Sequence, residues 1–318
     1  MLVHGIRVAG LRDAEGFVRT DLGARVELSG GPEGVAVADA FDLFAAGLVA
    51  GRIPTTLARL GISGEVEVLE EDGMPVQASW DDPWGARTLV AGDSARRITV
   101  WVEVIPDPPL FGQLREMAVR EPRLVAGLSD SPRIAARVGW LFTKDWTAAS
   151  IAVLEFKVGD MAFPASGPER PAWVPKVLRQ LGARFLRWTP SAEQELAERL
   201  LAASLSPDAE VRDAYARAAG ALADEPFELG ALELARVGEQ LWLCFGRDMR
   251  RARQFGPSAV EAAGLSVAAF LDAPDVLVIE NPGTHQPDPG AVADWLEERT
   301  RGNDATLEQV ILVNWNAS

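Results

Sequence analysis

The order of element types along the chain constrains its fold more than any single motif. Short β-like runs crowd the middle, over 64–110 and again at 135–141 and 150–158, and the turn signals Asp72-Gly73 and Gly92-Asp93 predict antiparallel hairpins. Strand–loop–helix units stand at both ends. Near the N-terminus, Val3, Ile6, Val8 and Leu11 alternate as in an edge strand, and Arg25 to Ser29 reads as a short strand. The glycine loop Gly30 to Gly34 follows, and then a helical pattern opening at Asp39 with Phe41, Leu43, Phe44 and Leu48 on its apolar face. Near the C-terminus, an apolar helix over 259–271 precedes a buried strand at 275–279. A helix at 291–300 leads to a last buried strand at 309–313. Between these groups lie a proline-rich loop (164–175), helices over 174–186, 191–204 and 208–223 with Ser191 and Asp208 as caps, and a strand at 239–245. The pattern predicts an α/β domain over 1–318 that is discontinuous in sequence. Residues 1–63 and 237–318 would form a mixed, largely parallel core sheet, 64–160 an antiparallel β-lobe, and 174–225 a helical insertion.

Composition narrows the function classes. At 48% hydrophobic residues the 318-residue chain has a normal core. Its longest apolar stretch, Ala262 to Leu271, is about half of the roughly 20 residues that span a bilayer. The first ten residues lack the basic and apolar regions of a signal peptide, and Cys244 is the single cysteine, so the expected compartment is the cytoplasm. A net charge of −15 opposes direct binding to nucleic acid, and Arg247, Arg250, Arg251 and Arg253 read as a solvated helix face. Lysine is scarce: Lys144, Lys157 and Lys176 are all there is.

Four places along the chain resemble the ABC-type ATPase heads of the RecF, SMC and OLD-like group. They are the R-V-E-L strand with its G-P-E-G loop, the apolar helix directly before D-V-L-V-I, the segment V-L-V-I-E-N-P-G-T-H (276–285), and V-I-L-V-N-W-N-A at the end. The resemblance implies a P-loop NTPase-like fold. It also implies where ATP chemistry should lie, and there the residues fail. A phosphate loop aims backbone N–H groups and a lysine at phosphates and sets a hydroxyl on Mg²⁺. With Gly31 and Gly34 aligned to the family's loop glycines, Ala36 falls at the third glycine, Val37 at the lysine and Ala38 at the Ser/Thr. Asp39 follows, reads as a cap, and opposes a triphosphate by about 4 kcal/mol per unit charge at 4 Å. Glu280 and Asn281 stand where the metal acid and general base belong, and an amide is no base near pH 7. Gly283 replaces an acid, and His285 matches the first histidine of the interface loop, with Pro287 at the second. Asn316 takes the place of the switch histidine, and Gly256 and Ser258 are faint echoes of the signature.

The implied protein is a pseudo-ATPase with no ATP, Mg²⁺ or other metal bound, acting as a binding or scaffold subunit. Its partner would be a protein, either an active ATPase head or a second copy of itself. The alternatives are a divergent ATPase completed by a partner chain and a DNA-associated accessory factor. Elsewhere, Glu280, His285 and Asp288 lack metal-ligand spacing, and Cys244 and Trp242 read as core. Trp80, Trp84 and Trp101 read either as packing or as a partner surface.

Overall fold

The structure, a computed structural model, describes residues 1–49, 52, 54–59, 67–71, 74–75, 96–128, 132–142, 148–165, 167–246, 250–301 and 305–314. In chain order the strands are β1 (Leu2–Ala9), β2 (Val18–Thr20), β3 (Arg25–Ser29), β4 (Glu67–Glu71), β5 (Met74–Pro75), β6 (Arg96–Ile105), β7 (Ile134–Phe142) and β8 (Ala148–Val158). They continue with β9 (Met161–Phe163), β10 (Phe185–Trp188), β11 (Leu232–Val237), β12 (Gln240–Phe245), β13 (Arg250–Arg251), β14 (Val276–Glu280) and β15 (Gln309–Asn314). The helices are α1 (Pro32–Leu48), α2 (Thr56–Arg59), α3 (Pro108–Ala118), α4 (Pro122–Gly127), α5 (Val174–Ala183), α6 (Glu193–Ser204), α7 (Ala209–Ala223), α8 (Pro257–Val267) and α9 (Pro289–Glu298). The chain divides into two compact units, Met1–Gly23 with Ser29–Arg187 and Ala24–Leu28 with Trp188–Ser318, so one boundary falls inside β10.

The first unit is built on a sheet of order β2-β1-β6-β7-β8-β4-β5, with β9 paired to β8. Alternation sets its faces. In β6, Ile98, Val100, Val102 and Val104 are buried while Thr99 and Trp101 are partly exposed. Helix α1 lies on the buried face. Its residues from Gly34 to Leu48 are all buried, so the helix is enclosed on every side, and all but Asp39 and Asp42 of its side chains there are apolar. The indole of Trp140 on β7 donates to the Leu43 carbonyl at 2.9 Å. At Gly47 a Cβ would stand 2.3 Å from Val138 Cγ1, so the close approach of helix and sheet requires glycine there. Helix α5 packs against α1 through Gly182, where a Cβ would meet the Ala45 carbonyl at 2.8 Å.

In the second unit, β14 and β15 pair in parallel, with Val278 opposite Ile311, and β3 lies beyond β15, whose Val310 N–H donates to Ala24 O at 2.8 Å. Both runs are buried on both faces, as their unbroken aliphatic sequences require. Arg25 is pinned to Asp294 and Glu297 of α9. Phe227 and Phe270 meet Trp295 edge-on, at 5.1 and 6.1 Å. Helix α8 runs into a π-helical turn, Ala268–Asp272. Strands β11, β12 and β13 form a small antiparallel sheet.

Several expectations are corrected. Strand β1 is not an edge: β2 flanks it on one side and β6 on the other, so residues 1–23 belong with the antiparallel strands. Strand β4 pairs with β8 in parallel, although its partner β5 is antiparallel to it. Helices α3 and α4 occupy a stretch with no predicted helix, each starting with proline at its first turn, where a missing N–H costs nothing. Arg250 and Arg251 are strand residues rather than a helix face, and Arg251 stacks on Trp242 at 3.1 Å from the ring centroid. Trp242 is half-buried instead of core.

Candidate functional site

The segment expected to be a phosphate loop is mostly helix. Strand β3 ends at Ser29 and α1 begins at Pro32, with Gly31 as N-cap, seven residues before the expected start at Asp39. Proline at the first helical position is preorganised for helix, and Val35 N–H already donates to the Gly31 carbonyl at 3.3 Å. Pro32 has no N–H, so the first-turn donors reduce to Glu33 and Gly34. The Glu33 carboxylate lies in that same turn, where it complements the helix dipole and opposes an anionic ligand. Ala36, Val37 and Ala38 lie in the second turn. Val37 is 1% exposed and Ala38 fully buried.

Asp39 is therefore no cap; it sits inside α1. Asp39 and Asp42, three residues apart on one helix face, are both buried. The buried guanidinium of Arg187 on β10 meets Asp39 at 2.6 Å and Asp42 at 3.9 Å. Thr56 donates its N–H to Asp42 at 2.8 Å and its hydroxyl to Asp39 at 3.1 Å, and the Thr55 hydroxyl donates to Asp42 at 2.9 Å. Arg187 also donates to the Thr56 hydroxyl. Nearby, Arg52 donates to the carbonyls of Gly182 and Phe185, each at 3.0 Å. Burial pushes its pKa down, against the pull of the Asp42 charge. Two buried carboxylates thus have their charge met by guanidinium and hydroxyl donors of the same unit. Removing one partner of such a pair leaves a charge uncompensated, at about 3–5 kcal/mol. The sequence reading named Asp39 but missed its partners. Its one local clue was a pair of acids in an otherwise apolar helix.

The E-N-P-G-T-H segment forms a pinned loop in the second unit. Glu280 ends β14 opposite Val313, and Asn281 turns left-handed (φ 47°), donating its N–H to the Val313 carbonyl at 2.8 Å. Gly283 is left-handed too (φ 74°), and a Cβ there would lie 3.0 Å from Pro289 Cα and Val292 Cγ2. The acid expected from the family would not fit. The half-turn is held by Glu261, a buried carboxylate on α8, which accepts from Thr284 N–H at 3.1 Å and His285 N–H at 3.0 Å. Gln286 adds a bond to the Ser258 carbonyl at 2.7 Å. The imidazole-bearing residue His285 is itself exposed. Glu261 was missed, although a lone charge in PSAVEAAGLSV was the visible signal. Gly256, an echo of the signature, is the left-handed N-cap of α8.

Val37 and Ala38 thus belong to the first unit, and Glu280, Asn281 and His285 to the second. Asn316, Trp315, Trp80, Trp84, Lys144 and Arg247 lie outside the described residues. Cys244 is buried, and burial pushes its thiol pKa up, which disfavours the reactive thiolate. Among the described residues no group of three His, Cys, Asp or Glu side chains could hold a metal, and no helix is long and apolar enough to cross a membrane.

No protein-family model matches the sequence, and a search of curated proteins finds no match. Among solved structures, the chain has a weak likeness to an Smc head domain with an extended coiled coil, bound to the C-terminal domain of ScpA, from Pyrococcus furiosus. The TM-score is 0.43 at 11% identity, over 98% of this chain and 89% of that chain.

Proposed function

We propose that this protein is an ATPase-like frame without nucleotide chemistry, working as a binding or scaffold subunit of a protein complex in the cytoplasm. The observation that carries the reading is the start of α1 at Pro32. From Val35 onward the backbone donors that a phosphate loop would turn toward a ligand run along the helix, Glu33 places a carboxylate at its open first turn, and the lysine position is a buried valine. The parallel β14–β15 pair and the pinned turn after Glu280 support a retained frame. Asn281, at the position of the base, offers an amide in its place. The partner in this reading is a protein, either an active ATPase head or a second copy of the chain.

A steady-state phosphate-release assay with ATP and Mg²⁺ tests the reading. No release above the buffer rate is expected. Turnover that Glu280→Ala abolishes would overturn the reading and make the chain a divergent ATPase.

A further inference from the structure

A second candidate site lies on the solvent face of the first unit's sheet. The strand register sets Arg7 on β1, Trp101 on β6, Arg137 on β7 and Glu155 on β8 side by side in one row. Lys157 stands in the next row with Gly5, Glu103 and Ala135, and Glu103 pairs with Arg133 at 3.5 Å, outside the hollow's lining. On the opposite side of the first row, Ala9 and Gly139 flank Thr99. The long side chains of the row stand beside the shorter Ala9 and Thr99, and these residues with Lys157 line a hollow of about 360 Å³. That volume is at the lower end of the range for small-ligand pockets.

The chemistry of the hollow is cationic. The Arg7 guanidinium lies 4.7 Å from the Trp101 ring centroid, and a Cβ at Gly5 would touch that ring at 3.3 Å, so the indole lies low over the glycine. Arg137 reaches Glu155 at 3.6 Å, and Lys157 also pairs with Glu155. Three cations and one carboxylate therefore line the hollow, Arg137 and Lys157 sharing Glu155 while Arg7 lies against Trp101, on a chain whose net charge is −15. Arg137 and Lys157 remain 46% and 40% exposed and open to a solute.

We propose that this hollow binds a compact oxyanion, a phosphate ester or carboxylate whose ring or apolar part rests against Trp101. Compactness follows from screening. At physiological salt, fields fade over about 8 Å. A ligand the size of the hollow feels chiefly Arg7, Arg137 and Lys157, whereas an extended polyanion also meets the acidic remainder of the surface. Arginine suits the task because its planar fork matches two oxygens of a carboxylate or phosphate. Glu155 holds Arg137 and Lys157 when the site is empty and competes with the ligand for them. No residue of α1 or of the turn after β14 takes part, so the site is independent of the proposed function.

Isothermal titration of the full chain with phenyl phosphate tests the proposal, with benzoate, inorganic phosphate and a single-stranded oligonucleotide as further arms. Saturable binding of phenyl phosphate or benzoate is expected, tighter than that of inorganic phosphate, which lacks the ring. Arg137→Gln should weaken it roughly tenfold. Glu155→Gln should tighten it, an effect that damage to the sheet would not produce. Lys157→Gln, whose side chain is part-exposed, provides a second weakening variant, and circular dichroism checks that each variant keeps its strands. The proposal is overturned if neither ring-bearing anion saturates, if Arg137→Gln and Lys157→Gln both bind like the parent, or if the oligonucleotide binds more tightly than phenyl phosphate.

Discussion

Val37→Lys, which puts a lysine where the resemblance would have one, is the sharpest perturbation of α1. Val37 is 1% exposed inside α1, with buried neighbours on both sides. An ammonium forced into such a site shifts its pKa down by about 3–5 units. At 1.36 kcal/mol per unit, the variant should lose about 4–5 kcal/mol of stability at pH 7, where the gap to the ordinary lysine value limits the loss. The sign with pH follows from proton counting. The unfolded chain binds a proton at this lysine up to its ordinary value near 10.4, and the folded chain releases it at a lower pH. Between those values the variant should regain stability as pH rises, by about 1.4 kcal/mol per pH unit relative to the parent. Below the folded pKa the deficit should level off. Urea denaturation followed by circular dichroism from pH 6 to 10 reads both quantities. A working phosphate loop would instead place this side chain in an open cradle. A variant within about 1 kcal/mol of the parent at every pH, and newly able to bind ATP, would refute the reasoning.

Other perturbations test the supports of the same frame. Arg187→Leu should cost about 3–5 kcal/mol, because Asp39 and Asp42 then stay buried without their guanidinium. The double variant with Asp39→Asn should recover part of that loss in the same denaturation assay. Glu261→Ala should leave the overall fold intact but raise amide hydrogen exchange at Thr284 and His285, whose N–H groups lose a charged acceptor worth about 1.5–3 kcal/mol each. Asp107 caps α3 through Leu110 N–H and meets Arg184 at 2.7 Å. Burial pushes its carboxyl pKa up, but the Arg184 bond and charge outweigh that and hold it below the usual range. A depressed folded pKa gives stability above the ordinary carboxylate value that is lost as pH falls through the folded one. Asp107→Asn should therefore lower stability near pH 7 and flatten the acid limb of the melting-temperature profile.

What the sequence reveals depends on how local the cause is. The aliphatic runs of β14 and β15 need no partner to be read as buried strands. Asp208 is a visible cap, and it does accept from Glu210 N–H at 2.9 Å. The start of α1 is misleading for a physical reason. Glycine and proline usually break helices, yet proline suits the first position of one, and Gly31-Pro32 is such a start. Asp39 looked like a cap because its neighbours are apolar, while its partner Arg187 comes from β10, far along the chain. Pairing between distant strands is equally hidden. Arg7, Trp101, Arg137 and Glu155 are unremarkable in sequence and become a row only through register.

Isothermal titration with ATP and Mg²⁺ tests the central claim most directly, using the parent chain and a variant carrying Arg7→Gln, Arg137→Gln and Lys157→Gln. That variant removes the cations of the outer-face hollow, so any remaining affinity does not come from it. The expected result is no saturable binding by the variant up to about 1 mM, a limit of about 4 kcal/mol in binding free energy. Micromolar binding by the variant would contradict the account, because it would mean that a functional nucleotide site persists in this chain despite the helix beginning at Pro32.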